Sequence, residues 1–256
     1  MRETSSSLTR MLALLDAFSP AKYAWAVDEL AAHFDYTPSS TYRYVKELCK
    51  SGLLLRLPGG IYVIGARVIE LETLTRETDP VLRMCQPLLR ELVRETTCHA
   101  LLSNVYGDHL INITYERGDE TLEPSYVRGR SLPWFRGSPS MAVLPFLAKT
   151  KVRHLFDATF GAEATDTDWQ AMWARLKAIR KAGYCVSEGE LDPGVFGFGV
   201  PVIVEGEVLG SISLACSTQR AAFLNRDMIG LALKDCSTKI AHVLANASHS
   251  TPADQT

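Results

Sequence analysis

The chain holds 256 residues, 46% of them hydrophobic, with 27 lysines and arginines against 29 aspartates and glutamates, for a net charge of −2. That length suits two domains better than one core, and the composition is that of an ordinary folded protein. The charge balance excludes a uniformly basic nucleic-acid coat, leaving only a local patch to be sought. No apolar run reaches the ~18 residues of a membrane span, and the N-terminus "MRETSSSLTR" has no apolar signal-peptide core. Cys49, Cys85, Cys98, Cys185, Cys216 and Cys236 form no CxxC pair. Reduced thiols and a cytoplasmic location are expected.

Leu8, Met11, Leu12, Leu14, Leu15 and Phe18 recur at helical spacing before Ser19-Pro20, predicting a first helix of about three turns. A short second helix follows Trp25-Ala26-Val27. A third begins in "TPSSTYRYVKELCKSGLL": Thr37 suits the N-cap, Pro38 the first helical position, Val45 and Leu48 the buried seam, and Gly52 the stop. After Gly52 the period changes to two. Residues 53–57 and 61–64 read as strands around the turn Pro58-Gly59-Gly60. Three helices and a hairpin make a winged helix-turn-helix, assigned to residues 1–65. A helix over 67–76 ends at Asp79-Pro80, so residues 66–79 read as a linker.

The remainder, residues 80–247, reads as an α+β sensor-like domain: an antiparallel sheet with helices on its faces. Helices are predicted over 81–96, 141–148, 152–156, 169–182 and 225–245. Strands are predicted over 99–106, 109–116, 197–204 and 208–216, with a long irregular stretch, "LEPSYVRGRSLPWFRGSP", read as a short strand and a loop, between the two pairs. The polar tail 248–256 is expected to be disordered.

These anchors resemble the bacterial IclR-type transcriptional regulators. They are "VDELAAHFDYTPSSTYRYVKELCKSGLL", the hairpin "RLPGGIYVIGARVIEL", and "IRKAGYCVSEGELDPGVFGFGVPVIVEGEVLGSISLA". The resemblance covers nearly the whole chain. It implies a GAF-like C-terminal domain that binds a small organic effector, and a dimer or tetramer that represses or activates catabolic operons on operator DNA. The aromatic loop 132–139 and the absence of a lysine at Met141-Ala142-Val143 depart from the family pattern.

Between residues 36 and 67 the chain places Arg43, Lys46, Lys50, Arg56 and Arg67 against Glu47 alone. Ser39, Ser40 and Thr41 open the third helix as short donors for phosphate or base edges, and Arg43 can read guanine bidentately. Tyr42 or Tyr44 can meet a phosphate or a thymine methyl, the other packing inward. Lys46 and Arg56 suit phosphates, Gly59 and Gly60 permit close approach of the wing, and Tyr62 lies beside them. A solvated helix face is the plain alternative.

In the second domain Ser211 and Ser213 share one side of a strand, as pocket hydroxyls or as groups satisfied by the backbone. Ser187 and Glu188 sit where the family pattern places polar pocket-rim residues, Gly197 and Phe198 fall on the strand expected to line the cavity, and Ser138 is a further effector-binding candidate. Trp134, Phe135 and Arg136 read as an apolar lid with one cation, suited to an organic acid and especially an aromatic one. No P-loop, G-x-S-x-G elbow or clustered metal ligands occur, so no catalytic residue, metal or cofactor is expected. Two rival readings stay open: a small-molecule enzyme with a fused helix-turn-helix, and an adaptor that binds protein through its winged helix.

Overall fold

The computed structural model describes residues 6–119, 122 and 124–249. The chain forms two compact units, Met1–Asp79 and Pro80–Thr256.

In the first unit α1 (Ser7–Ala13) starts at Ser6, whose hydroxyl accepts from the Thr9 amide, and runs into a 3-10 turn, Leu14–Ala17. The expected three-turn α-helix is thus cut short. The Ala17 carbonyl accepts from the Trp25 indole at 3.1 Å, and the tighter turn brings Leu14 and Ala17 into the core. A two-residue strand β1 (Trp25–Ala26) leads into α2 (Val27–Phe34), which ends at Asp35 in the left-handed region. Helix α3 (Pro38–Lys50) has Thr37 as its N-cap, accepting from the Ser40 amide, with Pro38 at the first turn. Strands β2 (Leu54–Leu57) and β3 (Ile61–Ile64) pair with Leu57 opposite Ile61, and β1 joins on the other side of β3. The tip uses Gly59 (φ 82°) and Gly60 (φ 77°), conformations that cost a side chain dearly. Leu14, Leu30, Val45, Leu48 and Tyr62 form the core. Helix α4 (Arg67–Thr78) buries no residue within its own unit.

In the second unit α5 (Pro80–Thr96) precedes the hairpin β4 (His99–Tyr106) and β5 (His109–Glu116), and the edge strand β6 (Ser131–Leu132). Then come α6 (Ser138–Val143), α7 (Lys149–Phe160), α8 (Asp166–Ala182), β7 (Cys185–Glu188), β8 (Val195–Val204), β9 (Glu207–Ser217), the short α9 (Thr218–Ala221) and α10 (Arg226–His249). The antiparallel sheet has the order β6-β5-β4-β9-β8-β7. One face packs on α5 and α10 through Leu89, Phe198, Ile212, Leu233 and Ile240. The opposite side carries a second cluster built from Leu110, Met141, Leu144, Val152, Phe156 and Leu176.

Strand β7 and helix α9 were not expected from the sequence, since "CVSE" is short and half polar. The helix expected over 141–148 begins at Ser138 and tightens to a 3-10 turn at Leu144–Phe146, because Pro145 supplies no amide for a longer ladder. The tail expected to be disordered lies, apart from its first two positions at the end of α10, outside the described residues.

Candidate functional site

The outer face of α3 is set by its inner one. Thr41, Val45 and Leu48 recur at helical spacing and are buried, so Ser39, Tyr42, Arg43 and Lys46 face solvent and Ser40 is half-buried. Tyr42 is 55% exposed and Tyr44 only 6%. Tyr44 is held inward by the Ser7 hydroxyl, which donates to its phenolic oxygen at 3.2 Å. The Arg43 guanidinium lies 5.5 Å from the Tyr44 ring centroid, and Lys50 is paired with Glu47 at 2.7 Å. At the hairpin tip Arg56 is exposed near Gly60. Chemically, this is a row of hydroxyl donors and cations on one side of a rigid helix, next to a glycine turn.

Two residues expected on this face are elsewhere. The Thr41 hydroxyl is buried and donates to the Thr37 carbonyl at 3.1 Å, because Thr41 belongs to the α3 seam. Tyr62 pairs with Trp25 across β1 and β3 and is 4% exposed. Burial pushes its phenol above the usual range. Both are core residues of the first unit.

The second unit contains a small cavity of about 40 Å³ between the sheet, the start of α6 and the loops 124–126 and 189–194. Strand alternation explains the floor. Ser213 stands opposite Leu101 on β4 and Gly199 on β8, with Gly197 beside it. A Cβ on Gly199 would come within 2.4 Å of the Ser138 carbonyl oxygen, and one on Gly197 within 2.6 Å of the Ser138 hydroxyl. Only glycines let α6 lie this close to β8. The Ser213 hydroxyl is buried, lines the cavity and has no hydrogen-bond partner within the chain.

The walls are polar and already bonded. Ser187 Oγ accepts from the Ser138 amide at 2.9 Å, and a Glu190 oxygen accepts from the Gly137 amide at 2.7 Å. The other Glu190 oxygen pairs with Arg175 at 3.0 Å. Asp192 accepts from both the Ser125 amide and the Ser125 hydroxyl, tying the two loops together. Asn112 accepts from Ser103 and donates to the Tyr126 carbonyl, both at 2.5 Å.

Ser138, Ser187, Gly197 and Ser213 are therefore brought together as expected residues of one cavity. Trp134, Phe135, Arg136, Glu188, Phe198 and Ser211 are not among its lining. The Trp134 indole donates to the Asp108 carbonyl at 2.7 Å, and Phe135 packs edge-on against Phe156. The aromatic segment thus folds down into the core beside α7 instead of closing a lid. Arg136 donates to the Glu190 carbonyl from outside. Glu188 and Phe198 sit one residue out of phase with Ser187 and Gly197, so the pleat turns them away from the cavity. Ser211 is buried one pleat further along, opposite Ser103 and Pro201. Its hydroxyl too lacks a partner within the chain. Glu190, Asp192, Asn112 and Tyr126 line the cavity without having been expected there. The turn-forming "GELDPG" marked the loop carrying the two acids but not its direction.

Among the described residues no group of three or more His, Cys, Asp or Glu is placed to hold a metal ion. No described helix is long and apolar enough to cross a membrane.

The family model described as the IclR helix-turn-helix domain matches residues 7–58, and that of the bacterial transcriptional regulator IclR C-terminal region matches residues 74–242. The chain belongs to the IclR family. It is a DNA-binding transcriptional regulator with a C-terminal effector-binding domain. Among curated IclR relatives it is 26% identical to the HTH-type transcriptional regulator KipR of Bacillus subtilis over 220 residues, 84% of this chain and 87% of the relative. It is 24% identical to the Pca regulon regulatory protein of Pseudomonas putida, over 84% of this chain and 75% of that protein. An IclR-family regulator from Brucella abortus shares the fold with a TM-score of 0.79 at 18% identity, covering 95% of this chain and 94% of that one. An IclR homologue from Microbacterium hydrocarbonoxydans, crystallised with 4-hydroxybenzoate, has a TM-score of 0.71 at 19% identity, covering 94% and 100%.

Proposed function

We propose that this IclR regulator binds a pseudo-palindromic operator as a homodimer and controls, as repressor or activator, a catabolic operon answering to a small organic effector. The observation that carries the reading is the outward row Ser39, Tyr42, Arg43 and Lys46 on α3, beside the glycine-tipped wing with Arg56. In this reading α3 enters the major groove, where Arg43 reads a base edge. Ser39, Ser40, Tyr42, Lys46 and Arg56 hold phosphates, while Gly59 and Gly60 bring the wing close to the backbone. Self-association is supported by apolar side chains left in water on α1 and α4: Leu8 at 69%, Leu12 at 51%, Ile69 at 70% and Leu74 at 54% exposure.

The effector binds at the cavity beside Ser213, which opens further to admit it, and the capture of 4-hydroxybenzoate by a homologue supports a small organic molecule. To act, it must bind one arrangement of the dimer better than another. The protein works in the cytoplasm as a regulator and not as a catalyst.

The test is fluorescence anisotropy with duplexes from the gene's own upstream region and from unrelated sequence, at two salt concentrations. A site bound at least 1,000-fold more tightly than unrelated duplex is expected. Equal affinity for both duplexes, with and without ligand, would overturn the reading.

A further inference from the structure

The polar groups around the effector cavity divide unevenly by charge. Glu190 and Asp192 line it, and no arginine, lysine or histidine does among the described residues. Two amides at the start of α6, from Gly137 and Ser138, would suit a carboxylate entering from outside. Both are already taken, by Glu190 at 2.7 Å and by Ser187 at 2.9 Å. Pro139, next in line, has no amide hydrogen. The nearby guanidiniums are turned to the same purpose: Arg175 pairs with the Glu190 carboxylate, and Arg136 donates to its carbonyl. What remains unsatisfied is neutral. Ser213 is only 2% exposed, and its hydroxyl has no partner within the chain.

We propose that Glu190 is the resident anion of this cavity and the residue that sets its ligand class, so that the effector is uncharged and carries hydroxyl or carbonyl groups. The inference rests on the proposed effector role of the cavity. A ligand hydroxyl or carbonyl completes the Ser213 hydroxyl, and ligand hydroxyls find acceptors in Glu190 and Asp192. A ligand carboxylate finds no free donor pair here and meets Asp192 and a Glu190 whose counter-charge, Arg175, is already engaged, and like charges disfavour each other. The acid bound by the Microbacterium homologue would then mark a difference in selectivity within one fold.

The experiment is a thermal-shift screen followed by calorimetry on the full chain, using matched acid and neutral probes. The pairs are 4-hydroxybenzoate with 4-hydroxybenzyl alcohol, benzoate with benzyl alcohol, glycerate with glycerol, and gluconate with sorbitol. The wild type is expected to bind the neutral member of at least one pair 10-fold or more tightly than its acid. Glu190→Gln should shrink that preference at least 10-fold, and Ser213→Ala should weaken the neutral ligand in either background. Melting without ligand confirms that each variant is folded. An acid bound as tightly as its neutral partner by the wild type, or a preference unchanged in Glu190→Gln, overturns the proposal. Binding of no probe from either class also overturns it. The anisotropy assay, run on the same preparation, then shows separately whether the regulator reading stands.

Discussion

Ser7 and Tyr44 meet at 3.2 Å, the serine hydroxyl donating to the phenolic oxygen across 37 residues of sequence. This bond joins α1 to α3 and assigns the two tyrosines of the "YRY" stretch opposite duties. Tyr44 belongs to the fold and Tyr42 to the surface. Tyr42→Ala is therefore expected to leave stability within about 0.5 kcal/mol of the wild type while weakening operator binding. Tyr62→Ala should remove about 3–5 kcal/mol from the first unit, as large core truncations do. Urea melts and anisotropy on the same preparations separate the two effects.

Arg43 and Lys46 lie on one exposed face, and the proposed operator reading gives them different tasks. Arg43→Ala should cost about 1–3 kcal/mol on the preferred operator and relax one base position. Lys46→Ala should weaken all sequences alike and reduce the slope of log affinity against log salt by about one. Anisotropy over a salt series with single-base operator variants measures both. Equal losses at every base for Arg43→Ala would remove it from the reading role.

Ser213 carries a buried hydroxyl without a partner. Leaving such a group unsatisfied costs roughly 1–3 kcal/mol, so Ser213→Ala should keep or raise the stability of the ligand-free protein, by about 1 kcal/mol. Most truncations of a buried residue go the other way. A melting series without ligand gives the sign.

Gly199 lies beneath the start of α6, where a Cβ would come within 2.4 Å of the Ser138 carbonyl oxygen. The obstacle is backbone, which cannot swing aside as a side-chain tip can. Gly199→Ala should cost about 1–3 kcal/mol through overpacking and displace the cavity wall. Ligand affinity and melting temperature should fall together.

Burial pushes the Cys185 thiol up to about 11 and that of Cys236 up to about 12. An unfolded thiol titrates near 8.5, so above that pH the unfolded chain has lost protons that the folded chain keeps. These two groups leave stability unchanged at neutral pH. They lower it as pH rises from about 8.5 toward 11, by up to ~1.4 kcal/mol per pH unit for each. Urea midpoints at pH 7, 8.5 and 10 should draw closer together in the Cys185→Ala, Cys236→Ala double variant. Iodoacetamide at pH 8 should label neither thiol until urea is added.

The first unit was legible because its signals are local. Thr37-Pro38 caps a helix, Gly52 stops it, and Pro58-Gly59-Gly60 turns a hairpin, each through its own backbone preference. Thr41 and Tyr62 were misjudged on residue type, since a hydroxyl and a phenol near a basic helix suggest contact while their phase places them in the core. The cavity was half legible. Strand alternation gives the common side of Ser211 and Ser213, and the pleat then explains why Phe198 and Glu188 turn away. Glu190 could not be assigned from the chain alone. Its meeting with Gly137 spans 53 residues and depends on a loop whose direction no periodicity encodes.

The central pairing of the second unit joins its first strand to its last, with His99 opposite Ala215 and Asn104 opposite Gly210. During synthesis, α1 to α4 and the hairpin are complete by residue 79, the end of the first compact unit. The sensor's sheet has no middle until β9 has left the ribosome. In between, β6, β5 and β4 wait as a three-stranded ribbon with the long edge of β4 open, the kind of edge that recruits stray strands. A ribosome stalled anywhere between the two elements therefore releases a chain with a finished DNA-binding unit and no means of being regulated.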